Sequence, residues 1–240
     1  MSTPTQPAPA EAGASPATPA LSNPVYAALT GPHAPFAEVR GNARRYPAAV
    51  APFLALPEEP TEADWTDAAA LVGPGTTVAL MRPELPVPDT FKLDRAIDLM
   101  QFTAPAELPA ADPEAIKLGP DDVPDMLALV ALTDPGPFRS RTIELGTYLG
   151  IRRDGELIAM AGTRFSLPGH TEISAVCTHP SARGQGVATR LIRAVAADIT
   201  AAGRSPFLHT GGSNTTAIRL YESLGFTVSN RMKVTLVKAV

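Results

Sequence analysis

The stretch that decides the fold is residues 171–202, which read TEISAVCTHP-SARGQGVATR-LIRAVAADITAA. Its first part alternates in polarity, as a strand does when successive side chains point to opposite faces. The predicted faces carry Ile173, Ala175 and Cys177 on one side and Glu172, Ser174, Val176 and Thr178 on the other. Pro180 ends this strand because it has no N–H for a sheet.

A glycine loop and a helix follow the strand. Gly184 and Gly186 allow a tight turn that leaves backbone N–H groups uncovered. Apolar residues then recur with helical spacing, at Val187, Ala188, Leu191, Ile192, Val195 and Ile199. The first N–H groups of a helix have no carbonyl partner and attract anions, and Arg183 adds a positive charge. The stretch therefore predicts a phosphate site. The alternative is that the two glycines only allow the chain to make a tight turn.

Two common phosphate loops do not fit the stretch. A Walker loop would need Gly-Lys-Ser/Thr, and the dinucleotide fingerprint would need a glycine where Thr189 stands. The residues from Arg183 to Ala188, RGQGVA, resemble instead the Arg/Gln-x-x-Gly-x-Gly/Ala loop of the GNAT superfamily of acyl-CoA-dependent N-acyltransferases. Residues 214–226, NTTAIRLYESLGF, resemble the second signature of that superfamily. Both motifs occur in the right order with a predicted strand between them.

The resemblance implies an α/β fold with a mixed sheet. Its two central parallel strands would splay apart, and a smaller α/β region would precede this GNAT fold. The pantetheine arm of acetyl-CoA, used as a co-substrate, would lie between the splayed strands. Backbone groups of Val176, Cys177 and Thr178 would bind it, and the Val176 N–H would also stabilise the negative charge on the acyl oxygen.

The remaining coenzyme contacts are implied by the two motifs. The pyrophosphate would be bound by Arg183, Gly184, Gln185, Gly186, Val187, Ala188 and Thr189. Asn214 and Ala217 would contact the pantetheine arm at the start of the following helix. Asn214 is equally suited to be the N-cap of that helix, and both roles are compatible.

Tyr221 and Glu172 are the predicted catalytic residues. The resemblance implies that Tyr221 protonates the departing thiolate of coenzyme A, and the alternative is a tyrosine packed in the core. Glu172, expected on the same strand face as Val176, would take the proton of the amine through a water, unless it is only an exposed strand-end carboxylate. His170, His209 or water alone are rival bases.

Cys177 is not predicted to be a nucleophile. It is expected on the apolar face of its strand, with Ile173, and buried free cysteines behave as small hydrophobic residues. Direct attack of the amine on the thioester in a ternary complex is therefore predicted.

Composition excludes several classes of protein. The 240 residues are 45% apolar with a net charge of −4, which is typical of a globular protein and argues against a nucleic-acid surface. The single cysteine excludes an internal disulfide and a Cys-based zinc cluster, and no metal site is predicted. Neither a membrane-spanning run nor a secretory signal is evident, so a cytoplasmic location is expected.

Four regions are predicted along the chain. Residues 1–22, rich in Ala and Pro, are expected to be a disordered tail. Residues 23–104 form an N-terminal α/β region, residues 105–113 a linker, and residues 114–240 the acyltransferase domain with the element order βααβββαβαββ. The N-terminal region weakly resembles the glycine N-acyltransferase-like branch, which implies a degenerate half-fold beside the acceptor pocket.

The predicted function is transfer of an acyl group, most simply acetyl, from acyl-CoA to a primary amine on a small molecule or peptide. A non-catalytic acyl-CoA-binding protein is the main alternative. An enzyme using a nucleotide cofactor is less favoured, because no acidic residue ends a strand about 20 residues beyond the loop. No nucleic-acid or membrane partner is expected, and a homodimer is left open.

Overall fold

The computed structural model describes residues 19–108 and 112–240. The stretch that opens the sequence analysis folds as predicted, into a strand at His170–Thr178 and a helix at Val187–Ala201. Six α-helices occur in the described residues: α1 Pro19–Ser22, α2 Pro24–Leu29, α3 Glu62–Val72, α4 Val123–Thr133, α5 Val187–Ala201 and α6 Thr215–Ser223.

Eleven strands accompany these helices in the same described residues. They are β1 Glu38–Arg40, β2 Ala43–Arg45, β3 Leu54–Ala55, β4 Thr77–Arg82, β5 Phe91–Thr103, β6 Ile116–Lys117, β7 Tyr148–Arg153, β8 Glu156–Leu167, β9 His170–Thr178, β10 Ser205–Gly211 and β11 Thr227–Ala239.

Eight of the strands form one mixed sheet in the order β4-β11-β5-β10-β9-β8-β7-β6, and β1 to β3 form a small second sheet. The neighbours β9 and β10 are parallel, whereas the other pairs of the large sheet are antiparallel. The predicted α/β class and mixed sheet are confirmed.

The two faces of the large sheet are covered by different parts of the chain. Helices α5 and α6 cover one face, where they bury Leu191, Val195 and Tyr221 against the sheet. The opposite face is covered by α4 and by the segment of residues 19–56. The face opposite α5 therefore depends on residues that lie far away in the sequence.

Strand β5 changes the predicted domain division. It lies between β10 and β11, pairing Phe102 with Leu208 on one side and with Val228 on the other. The sequence analysis places residues 91–103 in a separate N-terminal region, but they form a central strand of the large sheet. The sequence pattern of residues 94–102 is compatible with a strand or a helix. Pairing with β10 on one edge and β11 on the other shows that they are a strand.

The predicted tail and linker also differ from the structure where it describes them. The last four residues of the predicted tail are helix α1, because Leu21 is buried against the core. Residues 1–18 of that prediction lie outside the described residues, as do residues 109–111 of the predicted linker. Beyond that gap, Asp112 forms an ion pair with Arg190, so this end of the predicted linker is bound to helix α5.

Two local features of the sequence, a capping box and an Asp-Gly turn, agree with the structure, whereas the closing strands differ. Thr61 caps α3 and forms the full capping box with Asp64, which contributes about 1 kcal/mol of helix stability in typical cases. Asp154 and Gly155 make the β7–β8 turn with positive φ angles of 52° and 85°. The two predicted closing strands are instead one strand, β11, with an irregularity between Val228 and Asn230.

In the part of the chain that the structure describes, every helix is too short or too polar to span a bilayer.

Candidate active site

The central feature of the site is a fork between the parallel strands β9 and β10. Their backbones pair only from His170 with Ser205 to Ile173 with Leu208. Beyond this point β9 stays paired with β8, and β10 stays paired with β5, so the two strands separate. The predicted splay is confirmed, and the fork leaves backbone groups from Ser174 onward free to bind a ligand between the strands.

A bulge in β9 at the fork corrects the predicted strand faces. Ala175 has a positive φ of 52°, and the pairing with β8 shifts register between Ser174 and Cys177. As a result Val176 packs with Ile173 on the α5 face, whereas Ala175 and Cys177 pack on the α4 face.

Two expectations that rested on strict alternation are therefore wrong. Glu172 and Val176 do not share a face, and Cys177 does not share a face with Ile173. The sequence contained no signal for this reversal, because one extra residue in a strand leaves the pattern of residue types unchanged.

The glycine loop lies directly before α5. Gly184 and Gly186 have φ angles of 74° and 73°, which side-chain-bearing residues rarely adopt. The first helical hydrogen bond of α5 runs from Arg190 N–H to the Gly186 carbonyl at 3.1 Å, so the N–H groups of residues 187–189 have no acceptor within the helix. No side chain caps this end of the helix. Bare amides at the start of a helix are the arrangement that the predicted phosphate site requires.

The side chains around the loop leave one cation free. Arg190 is held by Asp112 and by Glu114, and Arg153 donates to the Gln185 side chain. Arg183 is exposed, and no ion pair to it occurs among residues 19–108 and 112–240. Arg183 is therefore the guanidinium that remains available to a phosphate.

Helix α6 supplies the second motif. The Asn214 side chain accepts from the N–H of Ala217 at 3.1 Å, so Asn214 is the N-cap, and within residues 19–108 and 112–240 its side-chain amide nitrogen donates to no other group. Tyr221 is buried at 6% exposure, with its ring 5.9 Å from that of Phe102. Burial raises the pKa of Tyr221 to about 12, so its hydroxyl stays protonated at neutral pH.

Glu172 is not an exposed carboxylate. It is buried at 1% exposure, and Arg164 binds both of its oxygens, at 2.8 and 2.7 Å. Its Oε1 also lies 2.7 Å from His209 Nδ1. Burial alone would raise the pKa of Glu172, but Arg164 and His209 outweigh it and hold the pKa at about 2. A carboxylate in these contacts has little affinity for a proton, which argues against its use as the base.

The two histidines proposed as rival bases are also placed. His209 is buried, with Nδ1 at Glu172 and Nε2 3.0 Å from Gln101 Nε2. His170 lies at the paired end of β9, away from the fork, beside the Pro168 carbonyl. Neither ring presents a free nitrogen to the open part of the fork. Cys177 is likewise unsuited to attack, because burial raises its pKa to about 11.

A groove of about 720 Å³ lies beyond the end of β10. It is formed where β5 and β11 extend past the end of β10, and its size is within the range of small-molecule sites, about 300–1,000 Å³. Met100, which pairs with Thr210 next to the fork, lines it. Its charged lining residues carry both signs, with Asp98 beside Arg231 and Lys233.

A solved structure decides the family. A GNAT-family protein from Novosphingobium aromaticivorans DSM 12444 is 40% identical to this chain, with a TM-score of 0.84 over 92% of this chain and 98% of that one. The chain belongs to the GNAT family.

Comparisons of the present chain with other proteins agree on the fold. The model of the FR47-like protein family matches residues 148–234. A GCN5-related N-acetyltransferase from Kribbella flavida is 17% identical, with a TM-score of 0.62 over 92% of this chain and 96% of that one. A conserved protein of unknown function from Staphylococcus epidermidis ATCC 12228 is 12% identical, with a TM-score of 0.53 over 84% and 92% of the two chains. Among curated proteins, none matches this sequence.

The structure of the present chain shows two residues near the fork that the sequence analysis did not identify. Arg164 and Gln101 are buried polar residues at the fork, and neither belongs to a recognised motif. The signal available in the sequence was Arg164 within the apolar strand β8, where a charged residue requires a partner. No group of three or more His, Cys, Asp or Glu side chains in the described residues could hold a metal ion.

Proposed function

We propose that this GNAT protein transfers an acyl group, most simply acetyl, from acyl-CoA to a primary amine. The observation that carries the proposal is the fork between β9 and β10 beside the uncapped start of α5. A coenzyme whose pyrophosphate binds the amides of Val187, Ala188 and Thr189 can lay its pantetheine arm in the fork. The free backbone groups of Val176, Cys177 and Thr178 would pair with that arm as an added strand does.

The reaction is a direct exchange of bonds at the thioester carbonyl carbon. The amine nitrogen attacks this carbon, its C–N bond forms as the C–S bond breaks, and the products are an amide and free coenzyme A. The Val176 N–H would donate to the carbonyl oxygen as negative charge develops there. The bulge at Ala175 supports this role, because it takes the backbone out of regular pairing next to Val176.

Tyr221 would stabilise the departing sulfur. A thiol has a pKa of about 8.5, well below that of the buried phenol, so full proton transfer from Tyr221 to a free thiolate is uphill. A hydrogen bond from the hydroxyl to the developing thiolate requires no such transfer and still lowers the barrier. The role therefore depends on a phenol that remains protonated, as burial ensures.

The amine would approach through the groove beside Met100 and Asp98. The groove is open, so water can take the proton that the amine loses on attack. Glu172 and His209 are occupied by each other and by buried partners, which leaves water as the base in this proposal. Carboxylates and cations in the groove lining would favour an acceptor that carries charged groups of its own.

The direct test is thiol release from acetyl-CoA with a panel of primary amines, combined with calorimetric titration of acetyl-CoA. We expect micromolar to millimolar binding and release of coenzyme A that requires an amine. Binding without release by any amine would favour a non-catalytic acyl-CoA-binding protein. Binding of NAD but not of acetyl-CoA would contradict the proposal.

Tyr221→Phe tests the leaving-group role. We expect kcat to fall at least tenfold with an unchanged Kd for acetyl-CoA, because the variant keeps the ring and loses only the hydroxyl. Tyr26→Phe, on the far side of the molecule in α2, is the matched control and should leave kcat unchanged. Unaltered turnover of the Tyr221 variant would remove this residue from the mechanism.

A further inference from the structure

A chain of buried side chains crosses the sheet at the fork. It runs from Arg164 on β8 through Glu172 on β9 and His209 on β10 to Gln101 on β5. Gln101 continues it to the Leu21 carbonyl of α1 at 2.9 Å and to Ser229 of β11 at 3.2 Å. The chain thus joins the four strands β8, β9, β10 and β5 on the face opposite α5, and ties them to the N-terminal segment.

The link between Glu172 and His209 lies where backbone pairing ends. Ile173 and Leu208 are the last backbone partners of β9 and β10, and His209 is the next residue of β10. Beyond it the two strands separate, so the 2.7 Å contact between the side chains replaces a backbone contact. No other side-chain hydrogen bond between β9 and β10 occurs in the described residues.

The contacts around His209 give each ring nitrogen a different environment. Glu172, whose two oxygens Arg164 binds, can only accept, so His209 Nδ1 carries the proton that is donated to it. The Leu21 carbonyl also accepts, so the Gln101 atom that faces it is the amide nitrogen, which lies 3.0 Å from His209 Nε2. Met232 Sδ lies 3.3 Å from the same ring nitrogen.

We propose that Glu172 and His209 act as a clamp that sets the width of the acyl-CoA fork, as positioning residues rather than as proton carriers. The clamp holds β9 and β10 together at the base of the fork while their backbones diverge to admit the pantetheine arm. Buried ion pairs contribute little net stability, so a network of this extent is better explained by the geometry it imposes. This inference rests on the proposed function, because it assigns the fork to acyl-CoA.

Two isosteric variants of His209 separate its two contacts. The side-chain nitrogen of Asn lies near the position of Nδ1, so His209→Asn keeps a donor for Glu172, whereas the longer His209→Gln keeps a group facing Gln101 and loses that donor. We expect His209→Gln to weaken acetyl-CoA binding and to lower kcat/KM at least tenfold. His209→Asn should stay within about threefold of the wild type in both. Asp67→Asn, which breaks the exposed 3.1 Å ion pair with Arg40, is the control.

The pH profile distinguishes a clamp from a base. In Glu172→Gln we expect kcat to fall while the apparent pKa values of the profile keep their positions. The groups facing Glu172 are Arg164, His209, Tyr46 and Tyr148, and the clamp requires none of them to exchange a proton with substrate. Loss of the rising limb in this variant would overturn the clamp and make Glu172 the base.

A measurement on the wild-type protein does not depend on any variant folding. The ¹⁵N shifts of the His209 ring report which ring nitrogen carries a proton, and we expect a proton on Nδ1, where it is donated to Glu172. A ring with its only proton on Nε2 would have no donor for Glu172 and would contradict the clamp. If the wild-type protein does not bind acetyl-CoA, the proposed function is contradicted instead. If the wild-type protein and the His209→Gln variant bind acetyl-CoA equally well, only the clamp is contradicted.

Discussion

A fragment of residues 105–240 should fail to fold, although it contains both GNAT motifs. Without β5 the facing edges of β10 and β11 lose their backbone partners, and the core on the α5 face loses Phe102. Burial of one such aromatic side chain contributes about 1.5–3 kcal/mol, and whole domains are stable by only about 5–15 kcal/mol. Loss of an entire central strand exceeds that margin.

Circular dichroism and thermal melting of the purified fragment test this expectation. A matched deletion of residues 1–18 removes none of the described elements and should melt as the full chain does. Co-expression of residues 19–104 with residues 105–240 should restore a soluble complex, because the missing strand is then supplied in trans. A fragment of residues 105–240 that is monomeric and melts cooperatively would show that the sheet closes without β5.

Gly186→Val should weaken acyl-CoA binding. The residue has a φ of 73°, and a β-branched residue in this left-handed region costs about 1–2 kcal/mol. A built Cβ would meet no atom within 4 Å, so the strain is in the backbone and not in a steric clash. The variant should relieve that strain by turning the loop amides away from the phosphate position, and we expect the Kd for acetyl-CoA to rise about five- to thirtyfold, since 1.4 kcal/mol corresponds to a factor of ten.

Gly203→Val provides a close control at the other end of α5. Gly203 has a φ of 72°, and a built Cβ there also meets nothing within 4 Å. The two variants should therefore lose similar stability, a few degrees of Tm for a chain of this size at about 2–4 °C per kcal/mol. Only the Gly186 variant should lose affinity for acetyl-CoA in calorimetric titration. Equal affinities in the two variants would show that the glycine loop does not bind the coenzyme.

Much of the fold could be predicted because its signals are local. The capping box of Thr61 and Asp64, the Asp154-Gly155 turn and the apolar stripe of α5 each depend on residues within a few positions of one another. The glycine turn before α5 is equally local, since two glycines and a helix start suffice to expose amides. The positions of these structural features agree with the sequence, whereas phosphate binding by the loop stays a prediction.

The wrong predictions from the sequence have a different origin, because they concern contacts between residues that are distant in the chain. The bulge at Ala175 inverted the faces of β9, and alternation of residue types cannot reveal an inserted residue. β5 was assigned to the wrong side of a boundary because a composition change between residues 105 and 113 does not report strand pairing. Glu172 was taken for an exposed carboxylate because its partners, Arg164 and His209, lie on two other strands.

The sequence by itself determined helix α5, the glycine loop before it and membership in the GNAT family, since the helix and the loop depend on short-range backbone chemistry and the family resemblance on two local motifs. Only the tertiary structure decided that Phe91–Thr103 completes the sheet and that Glu172 is bound within a buried network. Strand order and the partners of a buried charge depend on which distant residues meet, and this is fixed by the packing of the whole chain. The sequence predicted a phosphate site at the glycine loop, whereas the packing of the whole chain determined where the surrounding side chains lie.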